Sequence, residues 1–121
     1  MLHLRTIIAD SRTLGLYHLN SASLQFDFPL IGTVISGHAR GVDLAGEQWA
    51  LERGIPVECY PAEWDKYGKS AGYRRNEVMA DRAEALVAIW DGESRGTGHM
   101  IEVAERKGLL VKVYRFPRVK D

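Results

Sequence analysis

The residues with the clearest chemical potential form one run, which reads Ser36-Gly37-His38-Ala39-Arg40-Gly41-Val42-Asp43. An apolar segment precedes this run and a helical pattern follows it, which predicts a turn between a strand and a helix. The start of a helix presents unpaired backbone N–H groups at the positive end of its dipole and so favours an anion such as phosphate. Gly37 and Gly41 let a ligand approach the main chain, and Arg40 adds a cation. The run predicts either a phosphate site or an ordinary helix start, with glycines that serve only the turn and with Ser36 or Asp43 as its cap.

Strand-like and helix-like segments alternate along the chain, which positions this run and other polar residues at one edge of a sheet. Such alternation predicts parallel strands joined by right-handed crossovers, and apolar strands predict a sheet covered on both faces. We therefore expect an α/β fold, a Rossmann-like, open, doubly wound, mostly parallel five-stranded sheet, in one domain over residues 1–121. The predicted strands are residues 4–9, 32–36, 56–60, 85–90 and 110–114, the predicted helices are residues 13–26, 43–53, 73–82 and 98–107, and residues 62–72 are predicted as a loop.

Composition and charge limit the function classes. The formal net charge is zero, which gives no overall attraction to nucleic acid or to a membrane surface. No apolar run approaches a membrane span, and the N-terminus lacks a signal pattern, so we expect a cytoplasmic protein without membrane contact. The single Cys59 follows a proline in an apolar run and is expected to be a buried thiol rather than a nucleophile. The histidines lack metal-ligand spacing, so we expect no metal site and no cofactor.

Polar residues that follow the predicted strands share one edge, where open α/β sheets bind ligands. Arginines near two glycine-bearing helix starts favour a phosphate-bearing ligand. Trp64, Tyr67 and Tyr73 lie among basic residues, which predicts either stacking on a base or a hydrophobic cluster or dimer contact. The predicted ligand-binding residues are Ser11, Arg12, Ser36, Gly37, His38, Arg40, Gly41, Asp43, Arg75, Asn76, Ser94, Gly96 and Thr97. Within this set, Asp43 is expected to orient Arg40 or to cap the helix.

The run of residues 36–43 resembles the S-G-x-A-R-G-[IV]-D signature of the Smf/DprA DNA-processing proteins. Arg75-Asn76-Glu77-Val78-Met79-Ala80, followed by Ser94 and Gly96, is similar to their R-N-x-x-[IM]-A … S-G segment. Ser-Arg-Thr at residues 11–13, Pro-Ala-x-Trp at residues 61–64 and Asp-Gly-x-Ser-x-Gly-Thr at residues 91–97 resemble the YspA-like branch of the SLOG (Smf/DprA–LOG) superfamily. The resemblance covers residues 6–114, although Asp10 and His38 stand where glycine is usual. It implies a Rossmann-like nucleotide-binding domain, a homodimer or larger homo-oligomer, and an association with phages or mobile elements.

The same resemblance raises an enzymatic alternative. LOG enzymes, which release a base from a nucleoside monophosphate, use an arginine in R-K-x-x-M and a glutamate in G-G-x-G-T-x-x-E. Arg75 matches the arginine, but Met100 occupies the position of the glutamate, and a thioether cannot transfer a proton or stabilise a ribosyl cation. Glu102 lies about 200° around the helix from Met100, and Glu93 lies in the preceding loop.

The sequence therefore predicts a protein that binds or senses a nucleotide or nucleotide derivative. The first alternative is a LOG-type nucleotide N-glycosidase, or phosphoribohydrolase, with Arg75 and Glu102 as catalytic residues. The second is a DprA-like module that binds single-stranded DNA, which the zero net charge disfavours.

Overall fold

The computed structural model describes residues 3–10, 16–25, 30–37 and 44–116. In these ranges five strands form one sheet, and every pair of neighbouring strands is parallel. The strands are β1 (Leu4–Asp10), β2 (Ile31–Ser36), β3 (Val57–Cys59), β4 (Ala85–Trp90) and β5 (Leu110–Arg115). The helices are α1 (Leu16–Gln25), α2 (Leu44–Glu52), α3 (Trp64–Tyr67), α4 (Ala71–Arg82) and α5 (Arg95–Arg106), and a 3₁₀ turn at Gly68–Ser70 precedes α4.

The strand order is β3-β2-β1-β4-β5, so the direction of winding reverses between β1 and β4. At this switch Thr6 pairs with Ala85 and Ala9 with Ala88. Because α2 follows β2, α5 follows β4 and α4 leads into β4, all three helices begin at the carboxyl edge of the sheet. Ligands of open α/β sheets bind at this edge, outside the switch. The predicted Rossmann-like α/β fold is confirmed, and the described sheet is parallel throughout.

Successive strand residues point to opposite faces of the sheet, and these strands are apolar on both faces. Helices therefore cover both faces. On one face strand residues pack against α4 and α5, and on the other face they pack against α1 and α2. The first core contains Ile7, Ile35, Leu86, Met79 and Met100, and the second contains Ile8, Val34, Val87, Leu19 and Trp49. None of the helices in the described ranges is long and apolar enough to cross a membrane.

Two predictions about the region after β2 are wrong. Residues 62–72 are not a loop, because they contain α3, the 3₁₀ turn and the start of α4. The Glu63 carbonyl oxygen accepts the N–H groups of Lys66 and Tyr67, and a helix of a single turn is too short for hydrophobic periodicity to reveal. Cys59 is exposed rather than buried, because β3 is a three-residue strand at the edge of the described sheet.

Candidate functional site

The first half of α4 brings Arg75 and Asn76 to the carboxyl edge, between the end of β2 and the start of α5. Arg75 Nη1 donates a hydrogen bond to the Gly37 carbonyl oxygen over 2.6 Å, and its Nε donates to Asn76 Oδ1 over 3.0 Å. Asn76 Nδ2 lies 3.4 Å from the Gly96 carbonyl oxygen and 3.1 Å from His99 Nδ1. These two consecutive residues therefore join the two glycine-bearing turns from which the sequence predicts a phosphate site.

The neighbours of the Asn76 amide fix its orientation. The side chain is buried, with 4% of its surface exposed, so its polar atoms depend on protein partners. Arg75 Nε–H is always a donor, and the Asn76 atom that faces it is therefore the carbonyl oxygen. The amide nitrogen then faces His99, so Nδ1 of His99 accepts and the hydrogen of the neutral ring lies on Nε2. The Tyr73 ring packs against this imidazole, with centroids 4.3 Å apart.

The Asp91 carboxylate organises the turn between β4 and α5. Its Oδ1 accepts the backbone N–H groups of Glu93 and Ser94, each over 2.8 Å. Its Oδ2 accepts the Ser94 hydroxyl over 3.0 Å. Asp91 is buried, and a carboxylate that bonds the backbone two and three residues ahead makes a local Asx-type turn. Asp91 therefore shapes the turn, and the Ser94 hydroxyl supports it.

Gly92 and Gly96 differ in backbone conformation and in the space around them. Gly92 has a φ of 85°, and an ideal Cβ there would lie 2.6 Å from Arg115 Nε. The backbone conformation therefore favours glycine at this position, whereas the guanidinium is the far end of an exposed, flexible side chain that can move aside. Gly96 lies within α5, and a Cβ there would meet no atom within 4 Å. Thr97, the next residue, is buried.

Ser36, the last residue of β2, is buried and contacts an acid that the sequence reasoning missed. Its hydroxyl donates to Glu47 Oε2 over 2.8 Å. Partial desolvation of the exposed Cys59 thiol, and then the negative charge of Glu47 and its hydrogen bond to the thiol, raise the pKa of Cys59. A raised thiol pKa opposes the thiolate form, which fits the expectation that Cys59 is not a nucleophile. Glu47 is the acidic residue in the first turn of α2, and this place near the start of a helix is the sequence feature that could have identified it.

The described site residues meet at one edge of the sheet, as the topology requires. They are Ser36, Gly37, Arg75, Asn76, Ser94, Gly96 and Thr97. Ser11, Arg12, His38, Arg40, Gly41 and Asp43 lie outside the described residues. The ligand-binding roles of both sets stay predictions. Within the part of the chain that the structure describes, no group of His, Cys, Asp or Glu side chains is arranged to hold a metal ion.

Met100, which occupies the position of the LOG glutamate, lies in the hydrophobic core. Met100 is 1% exposed and packs in the same core as Ile7 and Met79. Glu102 is exposed on α5, and Glu93 is exposed in the turn before it. Position 100 therefore contributes packing to this fold, and catalysis by Arg75 and Glu102 stays a prediction.

Comparisons with known proteins agree with the resemblance of the motifs. A family model described as the YspA, cpYpsA-related SLOG family matches residues 23–67, which contain β2, α2, β3 and α3. The chain is 36% identical over 84 residues to the Gene 61 protein of Mycobacterium phage D29, and the alignment covers 64% of this chain and 67% of the phage protein. No solved structure matches the chain significantly. The chain belongs to the YspA, cpYpsA-related SLOG family.

Proposed function

We propose that this protein binds a nucleotide or nucleotide derivative through its phosphate groups, at the carboxyl edge between β2, α4 and α5. The observation that carries the proposal is the bridge made by Arg75 and Asn76, which joins the backbone at Gly37 to the backbone at Gly96. Membership of the SLOG family supports a nucleotide-related ligand. The relative from phage D29 supports the predicted association with phages.

The chemistry of this edge suits a phosphate. The N–H groups in the first turn of α5 have no partners within the helix, and the helix dipole makes that end positive. Gly96 leaves space beside these N–H groups, because no side chain stands there and no atom lies within 4 Å of its missing Cβ. The guanidinium of Arg75 adds a positive charge with the planar geometry that phosphate oxygens match.

A binding screen tests this proposal. Thermal unfolding is followed with nucleoside mono- and diphosphates, cyclic dinucleotides and ADP-ribose at increasing concentrations. A ligand of the folded state adds about 2.7 kcal/mol of stability at a concentration of 100 Kd. Arg75→Ala should abolish the shift, and Arg82→Ala at the far end of α4 should leave it unchanged. The absence of a shift with every compound would refute the proposal.

The same samples distinguish binding from the two alternatives. Nucleoside monophosphates are incubated with the protein, and chromatography then detects any free base. If the protein is a LOG-type hydrolase, the wild type should release free base and Arg75→Ala should not. Titration with a single-stranded oligonucleotide at rising salt detects a DNA-binding module, whose affinity should fall steeply. The nucleotide-binding proposal expects neither free base nor a salt-sensitive DNA complex.

A further inference from the structure

A cleft of about 630 Å³ lies beside the candidate site, where β3, α3 and α4 meet. This volume falls in the range of about 300–1,000 Å³ that is usual for small-molecule sites. Arg75 lines the cleft and also holds the Gly37 carbonyl oxygen, so the cleft and the proposed phosphate site share a wall. Its other walls include Tyr60, Pro61, Tyr67, Arg74 and Val78.

Two apolar side chains in this cleft are left exposed by the fold. Val78 is 46% exposed and Tyr67 is 37% exposed. Val78 precedes Met79 and Ala80, which are the residues of α4 that fill the core, so α4 does not need Val78 for its packing. Single exposed apolar residues are ordinary, but two that line one concave surface indicate a binding groove.

The Arg74 guanidinium lies on one wall of the cleft and contacts Tyr67 and Ser70. Its Cζ lies 4.5 Å from the centroid of the Tyr67 ring, and its Nε donates to Ser70 Oγ over 3.0 Å. No described carboxylate forms an ion pair with Arg74. A planar cation of this kind presents both a flat face and hydrogen-bond donors to a ligand.

The acidic side chains that line the cleft interact with cations other than Arg74. Glu77 pairs with Arg106 and Lys107 on the α5 side of the helix. Glu63 interacts electrostatically with Lys66. The cleft therefore combines apolar walls with a positive charge, which favours a flat, polar and electron-rich group.

We propose that this cleft binds the base of the nucleotide whose phosphate lies beside Arg75, so this inference rests on the proposed function. The base stacks on the face of the Arg74 guanidinium that points away from Tyr67, and it packs against Val78. Arg75 marks the boundary between the phosphate end and the base end of the ligand.

Isothermal titration with AMP, UMP and ribose 5-phosphate tests the inference, because ribose 5-phosphate carries the phosphate but no base. Val78→Arg places a long charged side chain in the cleft, and Leu51→Arg makes the same charge change at a residue of α2 that is 79% exposed. Val78→Arg should weaken AMP and UMP binding by about tenfold or more and leave ribose 5-phosphate binding unchanged. Leu51→Arg should leave all three affinities unchanged, and both variants should keep the wild-type melting temperature.

Different failures have different meanings. If AMP and UMP bind the wild type no more tightly than ribose 5-phosphate, or if Val78→Arg weakens all three equally, the cleft proposal is wrong and the phosphate site stands. If the wild type binds none of the three and no other nucleotide, the proposed function fails and the cleft proposal fails with it. If sedimentation velocity shows that Val78→Arg lowers the assembly mass, the cleft is a contact between copies of the chain, and the base-binding proposal is overturned.

Discussion

The Arg75 guanidinium lies 2.6 Å from the carbonyl oxygen of Gly37, although the two residues are 38 positions apart in the chain. This bond ties α4 to the end of β2, and the adjacent Asn76 extends the connection to α5. The two glycine-bearing turns, which the sequence predicts to lie at one edge of the sheet, are therefore joined through α4.

Replacing Arg75 by lysine should damage this structure while keeping its charge. A lysine amine cannot reproduce the planar fork that donates to both Gly37 and Asn76. We expect Arg75→Lys to lower the free energy of unfolding by about 1 kcal/mol. Nucleotide affinity should fall by about tenfold or more, because a lysine amine lacks the planar set of donors that we propose for the phosphate. Urea denaturation and isothermal titration measure the two effects. Affinity equal to that of the wild type would show that charge alone matters at this position.

The tautomer of His99 should depend on Asn76. In the wild type the Asn76 amide nitrogen faces His99 Nδ1, so long-range ¹H–¹⁵N NMR should show the ring hydrogen on Nε2. In Asn76→Asp a carboxylate accepts from both Arg75 Nε and the ring, so the hydrogen should lie on Nδ1. Comparison with His99→Gln assigns the signals. A wild-type ring with its hydrogen on Nδ1 would contradict the orientation of Asn76.

The sequence predicts the fold well where burial imposes a pattern. The bounds of β4 agree to the residue with the predicted strand, because a central strand covered on both faces is apolar throughout. The prediction fails beside β3, where a short edge strand leaves Cys59 exposed and one-turn helices carry no periodicity.

The candidate site is predictable only in part. Its location follows from topology, since strand ends of a parallel sheet converge at one edge. The contact between Arg75 and Gly37 depends on how α4 packs across the sheet, which no local spacing encodes. The role of Glu47 as partner of Ser36 and the use of Arg74 in a cleft depend on tertiary packing in the same way.

Alanine at Gly92 and at Gly96 should have opposite effects on stability. Gly92→Ala places a side chain at a φ of 85°, so the free energy of unfolding should fall by about 1–2 kcal/mol. Gly96→Ala fills open space in α5 and should raise the free energy of unfolding by up to about 1 kcal/mol.

Ligand binding by Gly96→Ala then tests the proposed phosphate site. The new Cβ tilts toward the start of the helix, where the phosphate would lie, so the nucleotide-dependent thermal shift should shrink. Thermal unfolding with and without nucleotide measures both effects in one experiment. A stable Gly96→Ala variant with undiminished nucleotide affinity would remove the first turn of α5 from the site.

The pH dependence of stability should reflect the ion pair between Arg5 and Glu58. Arg5 donates to both carboxylate oxygens of Glu58, over 2.6 and 2.9 Å, and Tyr60 donates to one of them. The hydrogen bonds from Arg5, and then from Tyr60, lower the pKa of Glu58 from 4.5 to about 2. Because this pKa is lower in the folded chain, ionised Glu58 stabilises the fold above pH 4.5, and the stabilisation is lost as the pH falls toward 2.

Urea unfolding of Glu58→Gln across this range measures the effect. The stability difference from the wild type should be constant at neutral pH and should shrink as the pH falls from 4.5 toward 2. Glu105→Gln makes the same change at an exposed glutamate of α5 and serves as the matched control. A difference that persists unchanged at the acid end would mean that Arg5 does not hold Glu58 ionised.

Restoring the LOG glutamate at position 100 should harm the fold rather than create a hydrolase. Met100 is 1% exposed in an apolar core, so the carboxyl group of Met100→Glu would be buried without a built partner. We expect a loss of about 3 kcal/mol or more in the free energy of unfolding. Met100→Leu keeps the volume and should lose less than about 1.5 kcal/mol. Chromatography after incubation with AMP should detect no adenine from Met100→Glu. A Met100→Glu variant that keeps wild-type stability and releases adenine would place residue 100 in the ligand site and refute its assignment to the core.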